Sequence, residues 1–263
     1  MPSIHPSAIV DAAARIAEDV HIGPYAIVEG PVRLGEGCRL GPHAQLIGDV
    51  KIGPRTVIGP GAIIGADPQS VKFDPATPSR VEIGPENTIR EYVTIHRSER
   101  DGGVTRVGTR NFIMTGAHLA HDVWIGDDNV IANNCLLAGH VRLGDRAFLG
   151  GGSVFHQFVR VGDLAMIQGG SRISLDVPPF LMGCHYNRIA GLNAVGMRRA
   201  GLSPDERAGI KRAFKILYCQ GLGLPQALRE TDSHEWPEAA KRFLAFFREE
   251  SHCGCCLKRN GAD

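Results

Sequence analysis

A step of six residues dominates the chain. From Ile4, every sixth position is Val10, Ile16, Ile22, Val28, Leu34, Leu40, Leu46, Ile52, Ile58 and Ile64. The phase resumes at Ile83, Ile89 and Ile95, then runs from Val107 through Ile113, Leu119, Ile125, Ile131, Leu137, Leu143, Leu149, Phe155, Val161 and Ile167 to Ile173. Glycine often comes next, with a small residue three positions after it, as in "IGPYAI" and "IGPGAI". Six matches neither the 3.6 period of a helix nor simple alternation along extended strands. It fits a parallel β-helix, in which short strands meet at Gly-rich corners and each aliphatic points into a narrow core. The same period, with Gly and Pro at turn-like positions, excludes a coiled coil.

Two interruptions break the phase. Residues 65–82, "GADPQSVKFDPATPSRVE", and 97–106, "RSERDGGVTR", are expected to loop out of the scaffold. Loops on a rigid frame often carry binding groups. After "DVPPF" the hexads stop, and "SPDERAGIKRAFKILYCQ" begins with Ser203 as N-cap, Pro204 at the first helical position and Glu206 to complete a capping box. Ile210, Phe214, Leu217 and Tyr218 make its apolar face, and a further helix is expected from Pro237. The expected division is an all-β solenoid over 1–178 and a small helical domain over 179–263.

Composition narrows the function. A net charge of +1 argues against nonspecific nucleic-acid binding. The N-terminus lacks the basic and apolar regions of a signal peptide, and no run approaches the ~20 apolar residues of a membrane span. Seven cysteines, an odd number, are expected to be free thiols in a reducing cytoplasm. "CGCC" at Cys253–Cys256 is expected to be exposed in a mobile tail.

The repeat resembles that of the hexapeptide-repeat transferases, which implies a left-handed parallel β-helix with three hexads per triangular coil. Twenty-six hexads then make about nine coils, a prism on the order of 40 Å long at ~4.8 Å per coil. An 18-residue coil stacks His121, Gly139 and Gln157, with His140 beside Gly139 and His156 beside Gln157. One strip of the prism therefore gathers chemistry suited to acyl transfer. An imidazole, ordinarily with a pKa of about 6.5, takes a proton from an attacking hydroxyl. A backbone N–H at a glycine stabilises the oxyanion of the tetrahedral intermediate. Asp122 stands where it orients the His121 ring.

"IHPSAIVD", "VEIGPENTIREYVTIHR", "GAHLAHD", "LAGHV", "GGSVFHQFVRVG", "DVPPF" and "GLNAVGMRRAG" together resemble the acyl-carrier-protein–UDP-N-acetylglucosamine O-acyltransferase family of lipid A biosynthesis. The resemblance spans nearly the whole chain and implies His121 as general base and Gly139 as oxyanion donor. His118, His140, His156 and Gln157 match positions contacting the nucleotide sugar or acyl chain, and Lys72 matches the family's loop lysine. Arg199 matches an arginine that engages the carrier's phosphopantetheine or acidic surface, with Asn193 a nearby contact. Gly169 falls at the chain-length ruler, where glycine leaves depth for a longer acyl chain. Ser70 stands where the family usually has aspartate, and it carries no charge. Also implied are a homotrimer with sites between adjacent prisms, an acyl-carrier-protein partner, a 3-hydroxyacyl donor, no metal, no cofactor beyond the carrier's phosphopantetheine, and no stable membrane insertion. Lys211, Arg212 and Lys215 offer a basic face to an acidic carrier.

Three alternatives stay open: a related enzyme N-acylating an amino-sugar nucleotide, a trimeric β-helix metalloenzyme using "HLAHD" with His140, and a non-catalytic scaffold. A sister enzyme that carries a uridine-binding domain ahead of its repeats fits less well, because here the hexads begin at Ile4.

Overall fold

The computed structural model describes residues 1–258. They form sheets of eleven, nine and eight short strands, and as far as Ile173 successive strands along the chain go to the first, second and third sheet in turn. One circuit of 18 residues returns each strand beside its predecessor: Ile22 lies opposite Leu40, Val28 opposite Leu46 and Leu34 opposite Ile52, all in parallel register. The result is the triangular solenoid that the hexads imply.

The six-residue step has a direct mechanical cause. Most strands are two residues long, the first facing outward and the second inward, as in Arg39–Leu40 and Trp124–Ile125. The inward residues stack into three columns, and from Ile22 to Ile173 they are almost wholly buried. Each contributes on the order of 1.5–3 kcal/mol by leaving water. A buried polar ladder shares one corner with this core. The backbone N–H groups of Asn111, Asn129 and Ala147 donate to the side-chain Oδ1 of Asn87, Asn111 and Asn129 respectively, each bond joining one coil to the next.

The two loops are shorter than the phase breaks suggested. The flanking strands run on, to Ile63–Ala66 and Arg80–Ile83 around the first and to Thr94–His96 and Val104–Val107 around the second. Ile83 pairs with both Ile52 and Val107, so the insertions bulge outward without disturbing the stack.

The boundary expected at 178/179 also shifts. Leu181–Cys184 continues the first sheet beside Met166–Ile167, and Arg188–Leu192 folds back antiparallel onto it. Helices follow: α1 (Ala194–Arg199), α2 (Pro204–Cys219), α3 (Leu224–Asp232) and α4 (Glu238–Arg248). The Ser203–Glu206 capping box forms at the start of α2, and Ile210, Phe214 and Leu217 are buried. Arg212 donates to the Glu235 carbonyl and lies over the Trp236 ring, so it does not join a free basic face with Lys211 and Lys215. Arg160 ties α4 to the prism through Asp176, Glu249 and the face of Phe246.

The cysteine-rich tail is docked rather than mobile and exposed. The Asp176 N–H donates to the Gly254 carbonyl and the Cys256 N–H to the Asp176 carbonyl, while the Tyr218 hydroxyl donates to the Cys256 carbonyl. Burial pushes the Cys255 and Cys256 thiols up to about 12, which makes them poor nucleophiles and metal ligands. No helix among the described residues is long and apolar enough to cross a membrane.

Candidate active site

The site grows from one corner, where the chain leaves the strand His118–Leu119 of the second sheet for Trp124–Ile125 of the third. His121 and Asp122 occupy that corner. The corner one coil on spans Ala138 to Val141, where the Val141 N–H reaches the Ala138 carbonyl at 3.4 Å and His140 has φ +62°. With positive φ at its third residue but not at its second, this is a type II turn, whose own hydrogen bond uses only the N–H of its fourth residue and leaves that of its second to outside partners. That residue is Gly139, and its N–H meets no acceptor among the described residues. Successive corners are laced together: the His140 N–H donates to the His121 carbonyl and the Phe158 N–H to the Gly139 carbonyl, both at 3.1 Å.

The imidazole of His121 lies on the bare Cα of Gly139. A Cβ at position 139 would fall 2.5 Å from the ring's Cε1 and 2.6 Å from Nε2. Only glycine leaves room for the ring there, so the absence of a side chain does more than form a corner. His121 Nδ1 is 3.0 Å from Asp122 Oδ2, which leaves Nε2 as the working nitrogen. Behind the ring, Asp122 is fixed at every face. Its Oδ1 accepts from the Ser98 hydroxyl at 2.6 Å and Arg100 Nε at 3.0 Å, its Oδ2 from the Glu99 N–H, and its own N–H donates to Thr105. Burial alone would raise the Asp122 carboxyl, but the hydrogen bonds from Ser98, His121, Glu99 and Arg100 outweigh it and hold it below the ordinary carboxylate value. The aspartate stays anionic and keeps the imidazole oriented.

His118, His121, Gly139 and Gln157 line one groove of about 280 Å³ with Gln69 and Leu136. Leu136 is 45% exposed, so the groove floor offers apolar surface to a chain. His118 shares a 2.7 Å hydrogen bond with Thr94 and meets the edge of His96 at 4.8 Å. Burial lowers His118, His140 and His96, the last to about 4, so these imidazoles are neutral near pH 7. His140 stacks on Phe158 at 4.6 Å and stands edge-on to His121 at 5.2 Å, on the third-sheet side of the corner. His156 is exposed, with its ring 3.2 Å from the Gln157 carbonyl, beside the groove but not lining it.

The remaining expected residues lie elsewhere. Ser70 and Lys72 ride on the outward loop after Ala66, whose neighbour Gln69 is the one that lines the groove. Gly169 sits on the corner between the first and second sheets, stacked over Gly151, across the second sheet from His121. Asn193 caps α1 through Gly196 and donates to the Leu164 carbonyl, so its amide is engaged within the chain rather than free for a ligand. Arg199 is exposed at the end of α1, whose cap Asn193 is anchored at Leu164 on the corner between the third and first sheets. Within one chain none of these five positions lines the groove beside the imidazole.

The sequence reading missed Gln69, Ser98, Glu99, Arg100 and Thr105. All but Thr105 lie within the two phase breaks as the structure bounds them, so the interruption itself was the signal. Glu99 places its carboxylate oxygens 3.7 Å from His121 Nε2 and 3.6 Å from His140 Nε2.

Residues 176–256 match the family model described as UDP-N-acetylglucosamine O-acyltransferase, domain 2, and residues 13–48, 31–66 and 105–139 match the bacterial transferase hexapeptide model. An acyl-(acyl-carrier-protein)–UDP-N-acetylglucosamine O-acyltransferase of Paraburkholderia xenovorans is 43% identical over 253 residues, covering 94% of this chain and 96% of its own. The protein of the same name from Alkalilimnicola ehrlichii is 44% identical over 232 residues, 88% of this chain and 90% of its own. The solved UDP-N-acetylglucosamine acyltransferase of Francisella novicida superposes with TM-score 0.91 at 34% identity, over 98% of this chain and 94% of the other.

Proposed function

The chain belongs to the acyl-(acyl-carrier-protein)–UDP-N-acetylglucosamine O-acyltransferase family of lipid A biosynthesis, and from that premise we propose that His121 is the base of its acyl transfer. The enzyme moves an acyl group from acyl carrier protein to UDP-N-acetylglucosamine on a left-handed parallel β-helix. One observation carries the mechanism: an imidazole backed by a fixed carboxylate lies on a bare glycine whose N–H is unbonded, at the wall of an open groove.

In the proposed sequence, the sugar's 3-hydroxyl gives its proton to His121 Nε2 as its oxygen bonds to the thioester carbonyl. The oxyanion that develops is stabilised by the Gly139 N–H. The C–S bond then breaks, and the imidazolium returns its proton to the departing thiolate of the carrier's phosphopantetheine. Asp122 stabilises the imidazolium and fixes the tautomer that presents Nε2 to the hydroxyl. His118 and Gln157 hold the sugar, and Leu136 begins the apolar path for a 3-hydroxyacyl chain. No step needs a metal or a cofactor of the enzyme's own, so exhaustive chelation should leave the rate intact.

The active unit is a homotrimer in this reading. Phe112, Val130, Phe148 and Met166 form an outward apolar column on the first sheet, with Phe148 39% and Met166 38% exposed, an unusual surface for an isolated prism. A neighbouring copy would also bring Gly169, Asn193 and Arg199 toward the groove. Cytoplasmic location follows from the soluble carrier and nucleotide substrates.

The test incubates the enzyme with acyl carrier protein bearing 3-hydroxyacyl chains of graded length and with UDP-N-acetylglucosamine or its 3-amino analogue, read by mass spectrometry. The expected product is the 3-O-ester. Amide formation on the amino analogue, with no ester on UDP-N-acetylglucosamine, would refute it and favour the N-acylating alternative.

A further inference from the structure

Glu99 has no part in the mechanism above, yet its carboxylate reaches toward two imidazoles at once. Its Oε2 is 3.7 Å from His121 Nε2 and its Oε1 is 3.6 Å from His140 Nε2. One ligand atom from each of Glu99, His121, Asp122 and His140 lies within 4.8 Å of all the others. We infer that Glu99, His121 and His140 form an inhibitory site for a zinc-like divalent cation, which competes with the acceptor hydroxyl for the lone pair on His121 Nε2.

Zinc takes imidazole nitrogens and carboxylate oxygens at about 2.0–2.2 Å in tetrahedral array, which puts neighbouring ligand atoms roughly 3.4 Å apart. Each imidazole nitrogen is already within a few tenths of an ångström of that spacing from a Glu99 oxygen, at 3.6 and 3.7 Å, and because ligand atoms of the set lie up to 4.8 Å apart the ring pair closes by about 1 Å on the ion. Three protein ligands leave the fourth position to water. The outer shell is already built, because His121 presents Nδ1 to the buried carboxylate of Asp122, the arrangement that orients a metal-bound imidazole and raises its basicity. Glu99 is partly exposed on the outward loop, so an ion has a way in. Two nitrogen donors suit zinc, copper or nickel, whereas magnesium and calcium favour oxygen.

The binding half of this inference rests on geometry alone. The inhibition half rests on the reading of His121 as base, because an occupied Nε2 cannot accept a proton.

The experiment has two arms on the full chain. Zinc-soaked crystals are examined by anomalous difference maps, which separate this site from the cysteines. Zinc inhibition constants are then measured for the wild type and Glu99→Gln, each relative to its own uninhibited rate. The inference expects a peak between Glu99, His121 and His140, inhibition competitive with UDP-N-acetylglucosamine, none by magnesium, and a constant weakened at least tenfold in Glu99→Gln. Even outer-shell losses weaken metal binding by about that much. A peak only at cysteines, or an equal constant in Glu99→Gln, overturns the site. If the peak is present but zinc leaves the rate unchanged, inhibition is overturned. An active His121→Ala variant would then locate the failure in the base assignment, and an inactive one in the inhibition alone.

Discussion

Replacing Gly139 with alanine isolates what the close approach of the imidazole is worth. The added Cβ would stand 2.5 and 2.6 Å from Cε1 and Nε2 of His121, and contact between carbons is comfortable only beyond about 3.5 Å, so the ring must retreat by roughly 1 Å. Retreat pulls Nδ1 from its 3.0 Å bond to Asp122 and moves Nε2 off the line of attack. A misplacement of about 1 Å in a reacting group costs on the order of 100-fold in rate, or about 2.7 kcal/mol of activation free energy. The fold should tolerate the change, because Gly139 is not among the glycines with positive φ and the yielding atoms end a side chain. Alanine also keeps the N–H, so any loss reports the ring and not the oxyanion donor. Initial rates at saturating donor and acceptor, with calorimetric melting alongside, should show kcat down about 100-fold and a Tm within a few degrees of wild type. A variant within threefold of wild-type activity would refute the claim that the ring's seat on Gly139 sets its working position.

Two further outcomes concern stability. Asn111→Ala removes a side chain that donates to Asn87 and the Gly126 carbonyl and accepts from Asn129, leaving buried partners unpaired at about 1–3 kcal/mol each. Its Tm should drop by several degrees, while activity at low temperature survives. Acid should weaken the fold in two stages. His96 sits at about 4 in the folded chain against an ordinary 6.5, so the unfolded chain binds the proton first and stability falls as pH drops from 6.5 toward 4. The loss is at most roughly 3 kcal/mol from His96, with His118 and His140 adding in the same direction. Asp122, held low, keeps its contribution until pH falls below the ordinary carboxylate value of 3.8. A denaturant series across this range should show stability flat above 6.5 and declining below; a rise on acidification would contradict the assignment.

The scaffold was legible because each hexad repeats one decision, aliphatic in and small or Gly at the corner, and the repetition averages out local ambiguity. The alignment of His121, Gly139 and Gln157 followed from the same arithmetic. What the sequence hid was not periodic. Ser98, Glu99 and Arg100 reach Asp122 and the histidines from a loop whose path no repeat dictates. The hairpin at Leu181–Leu192 has no hexad signature, because its second strand turns back antiparallel. The docking of Cys256 depends on Tyr218 and Asp176, 38 and 80 positions away, and composition alone made that tail look free. Asn193 shows the converse: a motif match marked it for a ligand, while its amide serves as the cap of α1.

The most direct measurement is the turnover of His121→Ala beside wild type, with matched melting temperature and oligomeric state. A positioned general base contributes about 10²–10⁴-fold, so kcat should fall by at least 100-fold while the acceptor still binds. Turnover within tenfold of wild type from an intact His121→Ala protein would contradict the assignment of this imidazole as the proton acceptor.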